Sequence, residues 1–228
     1  MIKLFVFILA FSAIAAAQTR TEVGEINGAP FRIDVPEHWN GTLFVYCHGY
    51  STTPVTYDHE PAKGVLKSYL DTEAAVAQSG YASVGWAIQQ ATVDSESLRR
   101  YFVQKYGQPK RTFVTGHSMG GFLTMMLMET QPTTYSGGLS LCGPLVPAGT
   151  LLTGAFDARV VFDYFFPGAL PDPSHVPSDF KPSKERAAKL EELLNGKPEA
   201  AQTIRRYATA KNNKDVASVM DFLTYVLK

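Results

Sequence analysis

The stretch RTFVTGHSMGG, Arg111 to Gly121, decides how the rest of this chain is read. Arg111 to Thr115 form a β-favouring run, and the sequence from Met119 onward, MGGFLTMMLME, is rich in helix formers. Gly116 to Gly120 must therefore turn the chain sharply between a strand and a helix. Ser118 occupies the apex. Its hydroxyl is held above the end of a sheet only if the residues two before and two after it lack colliding side chains, and Gly116 and Gly120 meet that demand. The helix that follows aims its first N–H groups at the same point, which makes the Met119 amide a donor for an oxyanion. A chance G-x-S-x-G in a chain with 18 glycines has no reason to fall at the junction of a β-run and an apolar helix.

This stretch resembles the nucleophile elbow of the α/β-hydrolase superfamily in its GHSMGG form, as found in secreted bacterial-type serine hydrolases, and the resemblance extends over residues 22 to 144. It implies a three-layer α/β/α sandwich with a mostly parallel sheet and an antiparallel N-terminal hairpin, and Ser118 as the nucleophile. A second motif fits the same family. The continuous apolar run Thr42 to Cys47, TLFVYC, ends in His48-Gly49-Tyr50, where α/β-hydrolases carry a turn that supplies the other oxyanion donor. The resemblance maps that role onto the backbone N–H of Tyr50, with Gly49 giving close access and His48 structural.

With 45% hydrophobic residues, 228 positions suffice for one sizeable core and a small accessory lobe. Lysine plus arginine and aspartate plus glutamate balance at 21 each, so nothing points to a nucleic acid or another polyanion as partner. The first twenty residues, MIKLFVFILAFSAIAAAQTR, place one lysine before an apolar run too short to span a bilayer and then Ala15 to Ala17. This is the pattern of a secretory signal peptide cleaved after Ala17. The expected organisation is residues 1–17 as signal, 18–144 as hydrolase core and 145–228 as a helical cap, in a secreted or periplasmic protein with no stable membrane anchor. Cys47 and Cys142 read as buried thiols on the two strands flanking the nucleophile strand, too far apart to bond.

Along the chain, Asn27-Gly28 between two alternating runs predicts a hairpin over residues 22 to 35. Residues 51 to 64 read as an irregular wall of the active-site mouth, with His59 a solvated loop residue, and His38 is given no role. A helix is expected over Leu66 to Ser79, a strand over Tyr81 to Ala87, a core-facing helix over Val93 to Tyr106, and a buried strand over Gly138 to Cys142. The methionines after the elbow are packing, and no metal or cofactor is implied. Past Leu145 come an aromatic-rich, proline-spaced segment and three helices at about 183–195, 198–210 and 214–227, with Phe162, Tyr164, Phe165 and Phe166 expected to pack the cap onto the body.

A serine hydroxyl needs a histidine to take its proton and an acid to orient that histidine. In α/β-hydrolases both follow later strands, yet no β-run follows Leu141 here, and His175 is the sole histidine after Ser118. No acid is assignable among Asp157, Asp163, Asp172, Asp179, Asp215 and Asp221. The expectation is a serine hydrolase that cleaves a carboxylic ester or a peptide bond through acyl-Ser118. The alternative is a truncated or non-catalytic protein that keeps the elbow as architecture.

Overall fold

The computed structural model describes residues 19–146 and 148–226, so the signal peptide expected over residues 1–17 lies outside the described residues. The chain divides into two compact units, with the break between Leu145 and Val146. Among the described residues no helix is long and apolar enough to cross a membrane.

The first unit is a six-stranded sheet with helices. Strands β1 (Arg20–Ile26) and β2 (Ala29–Val35) form the expected hairpin. Its two-residue turn holds Asn27 and Gly28 at φ 52° and 82°, the left-handed pair that matches strand twist. Then follow β3 (Thr42–Cys47), α1 (Gly64–Leu70), β4 (Ala75–Ser79), α2 (Ile88–Tyr106), β5 (Arg111–His117), α3 (Met119–Thr130) and β6 (Gly137–Leu141). The order across the sheet is β1-β2-β4-β3-β5-β6. β2 meets β4 antiparallel, while β4, β3, β5 and β6 run parallel to one another. That is the mostly parallel sheet with an antiparallel hairpin that the α/β-hydrolase resemblance implies.

Alternation along the strands sorts side chains to two faces. Ile33, Leu43, Val45, Cys47, Ala75, Ala77 and Val114 pack with Leu98 and Phe102 of α2 and Leu123 and Leu127 of α3 in one buried core. Phe44, on the opposite face, stacks on Tyr69 of α1 at 4.3 Å.

Two elements differ from the sequence-based expectation. Residues 75–79 are a strand and not the end of a helix, because AVAQS lies between β2 and β3 with every residue buried, a place where small side chains fit between the layers. The alanines that favour a helix in isolation yield to sheet pairing. Tyr81 to Ala87 is a loop and not a strand, since Tyr81 at φ 55° and Gly85 at φ 81° cannot belong to an extended run. In addition, β6 is an outer strand with Gly138 and Leu139 exposed, so it is not buried. Cys142 just beyond it is likewise exposed, while Cys47 is buried and both thiols are free.

The second unit consists of α4 (Ala148–Phe165), α5 (Lys184–Gly196), α6 (Pro198–Ala208) and α7 (Asn213–Val226) around its own core of Phe162, Phe166, Leu190, Leu194, Ile204 and Met220. The first part of the aromatic-rich segment is therefore a helix, which ends at Phe165. Phe162 and Phe166 pack inside, whereas Tyr164 is 80% exposed.

Candidate active site

Ser118 stands between β5 and α3 with φ 53° and ψ −122°, a conformation that a residue with a side chain rarely adopts. Its N–H donates to the Leu141 carbonyl at 2.9 Å, and its own carbonyl accepts from the Gly121 N–H at 2.9 Å, so the turn is tied on both sides. The glycines explain why the chain can pass here. A Cβ on Gly116 would sit 2.3 Å from the Cys47 carbonyl oxygen, and one on Gly120 would sit 1.9 Å from the same atom. Backbone, which cannot move aside as a side chain tip does, occupies the space that a Cβ would need. Gly121 and Gly143 meet in the same way, Gly143 Cα lying 2.8 Å from a Cβ built on Gly121.

The register Cys47↔Gly116 sets the ends of β3 and β5 side by side. Tyr50, three residues past β3, and Ser118, one residue past β5, thus leave the same end of adjacent parallel strands. Met119 opens α3 with its side chain 1% exposed in the core, and an N–H in this first turn has no acceptor within the helix. Sequence reasoning therefore named three positions that the fold gathers at one end of the sheet.

His48 belongs to the wall of this turn. Its ring stacks on Tyr81 at 4.0 Å, and because a carbonyl only accepts, its Nδ1 carries the proton donated to the Gly49 oxygen at 2.6 Å. Burial holds its pKa below the usual histidine value, against the opposing pull of the Gly49 and Gly80 carbonyls. His117, inside the motif but given no part in the sequence reading, lies against the same turn. Its Nδ1 is 2.7 Å from the Tyr46 hydroxyl, and its Nε2 would be 2.9 Å from a Cβ on Gly49. The period-2 alternation of β3 puts Tyr46 on the face opposite Val45 and Cys47, but it does not name a partner 71 positions further along the chain.

Among the described residues no side chain is hydrogen-bonded to the Ser118 hydroxyl. His175 lies in the helical unit, where its Nδ1 is 2.8 Å from Ser174 Oγ, which in turn donates to Asp172 Oδ1 at 2.6 Å. Hydrogen bonds from the Ser174 side chain and backbone hold the Asp172 carboxyl below its usual range. Asp221 is committed elsewhere, accepting from Ser183 N at 2.6 Å and Arg186 Nε at 2.5 Å. Asp163 pairs with the buried Arg159 at 3.1 Å. His59 and His38 are exposed. A hollow of about 810 Å³ in the helical unit is lined by Phe165, Phe166, Lys189, Glu192 and Lys197 and includes no residue of the elbow. The described residues contain no group of three or more histidines, cysteines or carboxylates arranged to hold a metal ion.

No family model and no curated protein matches the sequence. Solved structures do resemble it in outline. The S-formylglutathione hydrolase FrmB from Staphylococcus aureus is 17% identical, with a TM-score of 0.46 over 61% of this chain and 62% of that one. The acylaminoacyl peptidase of Pyrococcus horikoshii is 16% identical, with a TM-score of 0.45 over 64% of this chain and 25% of that one. An acetyl xylan esterase from Aspergillus awamori is 19% identical, with a TM-score of 0.42 over 59% of this chain and 53% of that one. In each case the match spans less than two thirds of the other chain, and likenesses at this level assign no chemistry.

Proposed function

We propose that this chain is a secreted serine hydrolase that cleaves a carboxylic ester, or a peptide bond, through an acyl-Ser118 intermediate. The observation that carries the reading is Ser118 at φ 53° and ψ −122° on a strand-to-helix turn closed by Gly116 and Gly120. Such strain persists only where the surroundings impose it, and it presents the hydroxyl at the sheet end. Ser118 Oγ adds to the carbonyl carbon as its proton passes to a base. The oxyanion accepts from the Met119 and Tyr50 N–H groups. Collapse expels the alcohol or amine, which takes up the proton, and water repeats the sequence on the acyl-serine to release the acid.

One observation favours a second reading, a non-catalytic protein of the same fold: the Ser118 hydroxyl has no side-chain partner among the described residues. Hydrolysis of p-nitrophenyl acetate, together with fluorophosphonate labelling of the exported protein, decides between them. Turnover and labelling that disappear in Ser118→Ala, a loss of about 10⁴-fold or more, support the hydrolase. A folded wild type that neither labels nor turns over supports the second reading. Intact mass tests secretion, a first residue of Gln18 being expected and a retained Met1 refuting it.

A further inference from the structure

The loop between β4 and α2 was expected to be a strand, and its departure from that expectation places an unusual side chain beside Tyr50. Trp86 is 49% exposed and its neighbour Val84 is 50% exposed. Single exposed apolar residues are common on any surface, and on a mobile loop this pair would mean little. This loop is fixed at several points. Gly80 N donates to the Pro30 carbonyl at 2.6 Å, and the Tyr81 hydroxyl donates to the His48 carbonyl at 3.3 Å. Ala82 N donates to the Asp94 carboxylate at 2.9 Å. Gly85 N donates to the Ser51 carbonyl at 2.7 Å in a bridge that ties the loop to the residue after Tyr50. The Tyr50 and Trp86 rings lie 6.4 Å apart as a result. Gly85 at φ 81° lets the chain turn at this bridge, immediately before the half-exposed Trp86.

A held, half-exposed indole against the side chain of the residue proposed as oxyanion donor is a preorganised apolar contact for a group attached to the bound carbonyl, because binding there need not first order a loop. We propose that Trp86, with Tyr50 behind it, receives the apolar group of the substrate, so that the preferred substrates are esters bearing an alkyl chain or an aromatic ring and not small acetyl or strongly charged groups. This assignment of substrate class rests on the hydrolase reading above.

The test compares labelling of the folded protein by ethyl and octyl fluorophosphonates. The wild type should react faster with the octyl reagent. In Trp86→Ala that preference should fall by about tenfold, the worth of roughly two buried methylenes, and Trp86→Phe should recover most of it. An unchanged preference in Trp86→Ala, or no preference in the wild type, overturns the proposal while Ser118 labelling leaves the hydrolase reading standing. Absent labelling of wild-type Ser118 overturns that reading, and this assignment with it. Fluorescence gives a second readout that does not depend on the alanine variant folding. The chain has two tryptophans, and Trp39 is anchored by donating to the Thr42 carbonyl at 2.7 Å and packs against Phe102. In a Trp39→Phe background, octylphosphonate should shift Trp86 emission to the blue, and a spectrum that does not move counts against the contact. A p-nitrophenyl series of rising acyl length, set against acetate esters of rising alcohol length, tells whether the group on Trp86 comes from the acyl or the alcohol side.

Discussion

Glycines do different work in the two units. Around the elbow, a Cβ on Gly116, Gly120, Gly121 or Gly143 would come within 2.3, 1.9, 2.8 and 2.5 Å of another atom. In the helical unit, a Cβ on Gly149, Gly154, Gly168 or Gly196 would find nothing within 4 Å. The sheet end is thus built by backbone meeting backbone, which tolerates no added atom. The helical unit is held by side chains: a core of Phe162, Leu194 and Ile204, and a fully buried Arg159 that donates to Thr224 Oγ1 at 2.8 Å. Close backbone packing leaves a turn one shape, whereas side-chain packing can be redistributed, so a reactive group that must be placed to within fractions of an ångström belongs on the first kind of surface.

The largest effect that this contrast predicts is at Gly120. An alanine there must displace the Cys47 carbonyl at the end of β3, so Gly120→Ala should cost more than about 3 kcal/mol and is expected to abolish both folding yield and fluorophosphonate labelling. A soluble, labelled Gly120→Ala protein with a near-normal urea midpoint would mean that β3 and the elbow are not in contact as described.

A smaller and opposite effect is expected one step away. Ser118 holds a backbone conformation that glycine adopts freely, and among the described residues no hydrogen bond of its side chain caps the helix to offset the strain. Ser118→Gly should therefore raise stability by about 1 kcal/mol while removing all turnover, read as a higher urea midpoint with an unchanged slope. A destabilised Ser118→Gly would show that the turn is not strained.

The same contrast explains what the sequence disclosed. G-H-S-M-G-G and N-G report backbone geometry directly, because only glycine or a residue under strain satisfies it, and Ser118, Gly116, Gly120 and the turn at Asn27 were legible from one chain. The strand at 75–79 was not, since AVAQS is a strand only because β2 and β3 lie on either side of it, and that neighbourhood is set by residues far off in sequence. Phe162 and Phe166 were legible as apolar packing residues, although they pack within the helical unit's own core, and the helix that ends at Phe165 was obscured by the prolines at 167 and 171 that follow it. Tyr46 against His117 and Trp86 against Tyr50 depend on pairs 71 and 36 positions apart, and periodicity within one element carries no trace of such pairs.

At the far edge of the sheet unit, side chains take over again, and the expected effects shrink accordingly. Glu22 on β1 accepts from Tyr101 at 2.6 Å, Lys105 at 2.5 Å and Tyr106, which clamps the hairpin to α2. Burial pushes its pKa up, but these donors outweigh burial and hold the carboxyl below its ordinary 4.5. A carboxyl with a depressed folded pKa stabilises fully above about pH 4.5, and the contribution fades as pH falls through the folded value. Glu22→Gln should then cost about 1 kcal/mol at pH 7 and distinctly less at pH 3, by urea unfolding at both. An equal cost at the two pH values would assign the effect to packing and not to charge.

The smallest effect tests the helical side of the comparison. Gly154 lies inside α4, exposed, with open space where a Cβ would stand. Nothing in its surroundings requires glycine, so the residue contributes only its cost, the extra freedom it loses on entering a helix. Gly154→Ala should raise stability by about 0.5 to 1 kcal/mol, seen as a small upward shift in the urea midpoint with labelling at Ser118 unaltered. The same Gly→Ala change would then carry opposite signs in the two units, ruinous at Gly120 and favourable at Gly154. A loss of stability at Gly154 would mean that a close neighbour fills that space in solution, and the division between backbone-packed and side-chain-packed glycines would fail at the position where it is cleanest.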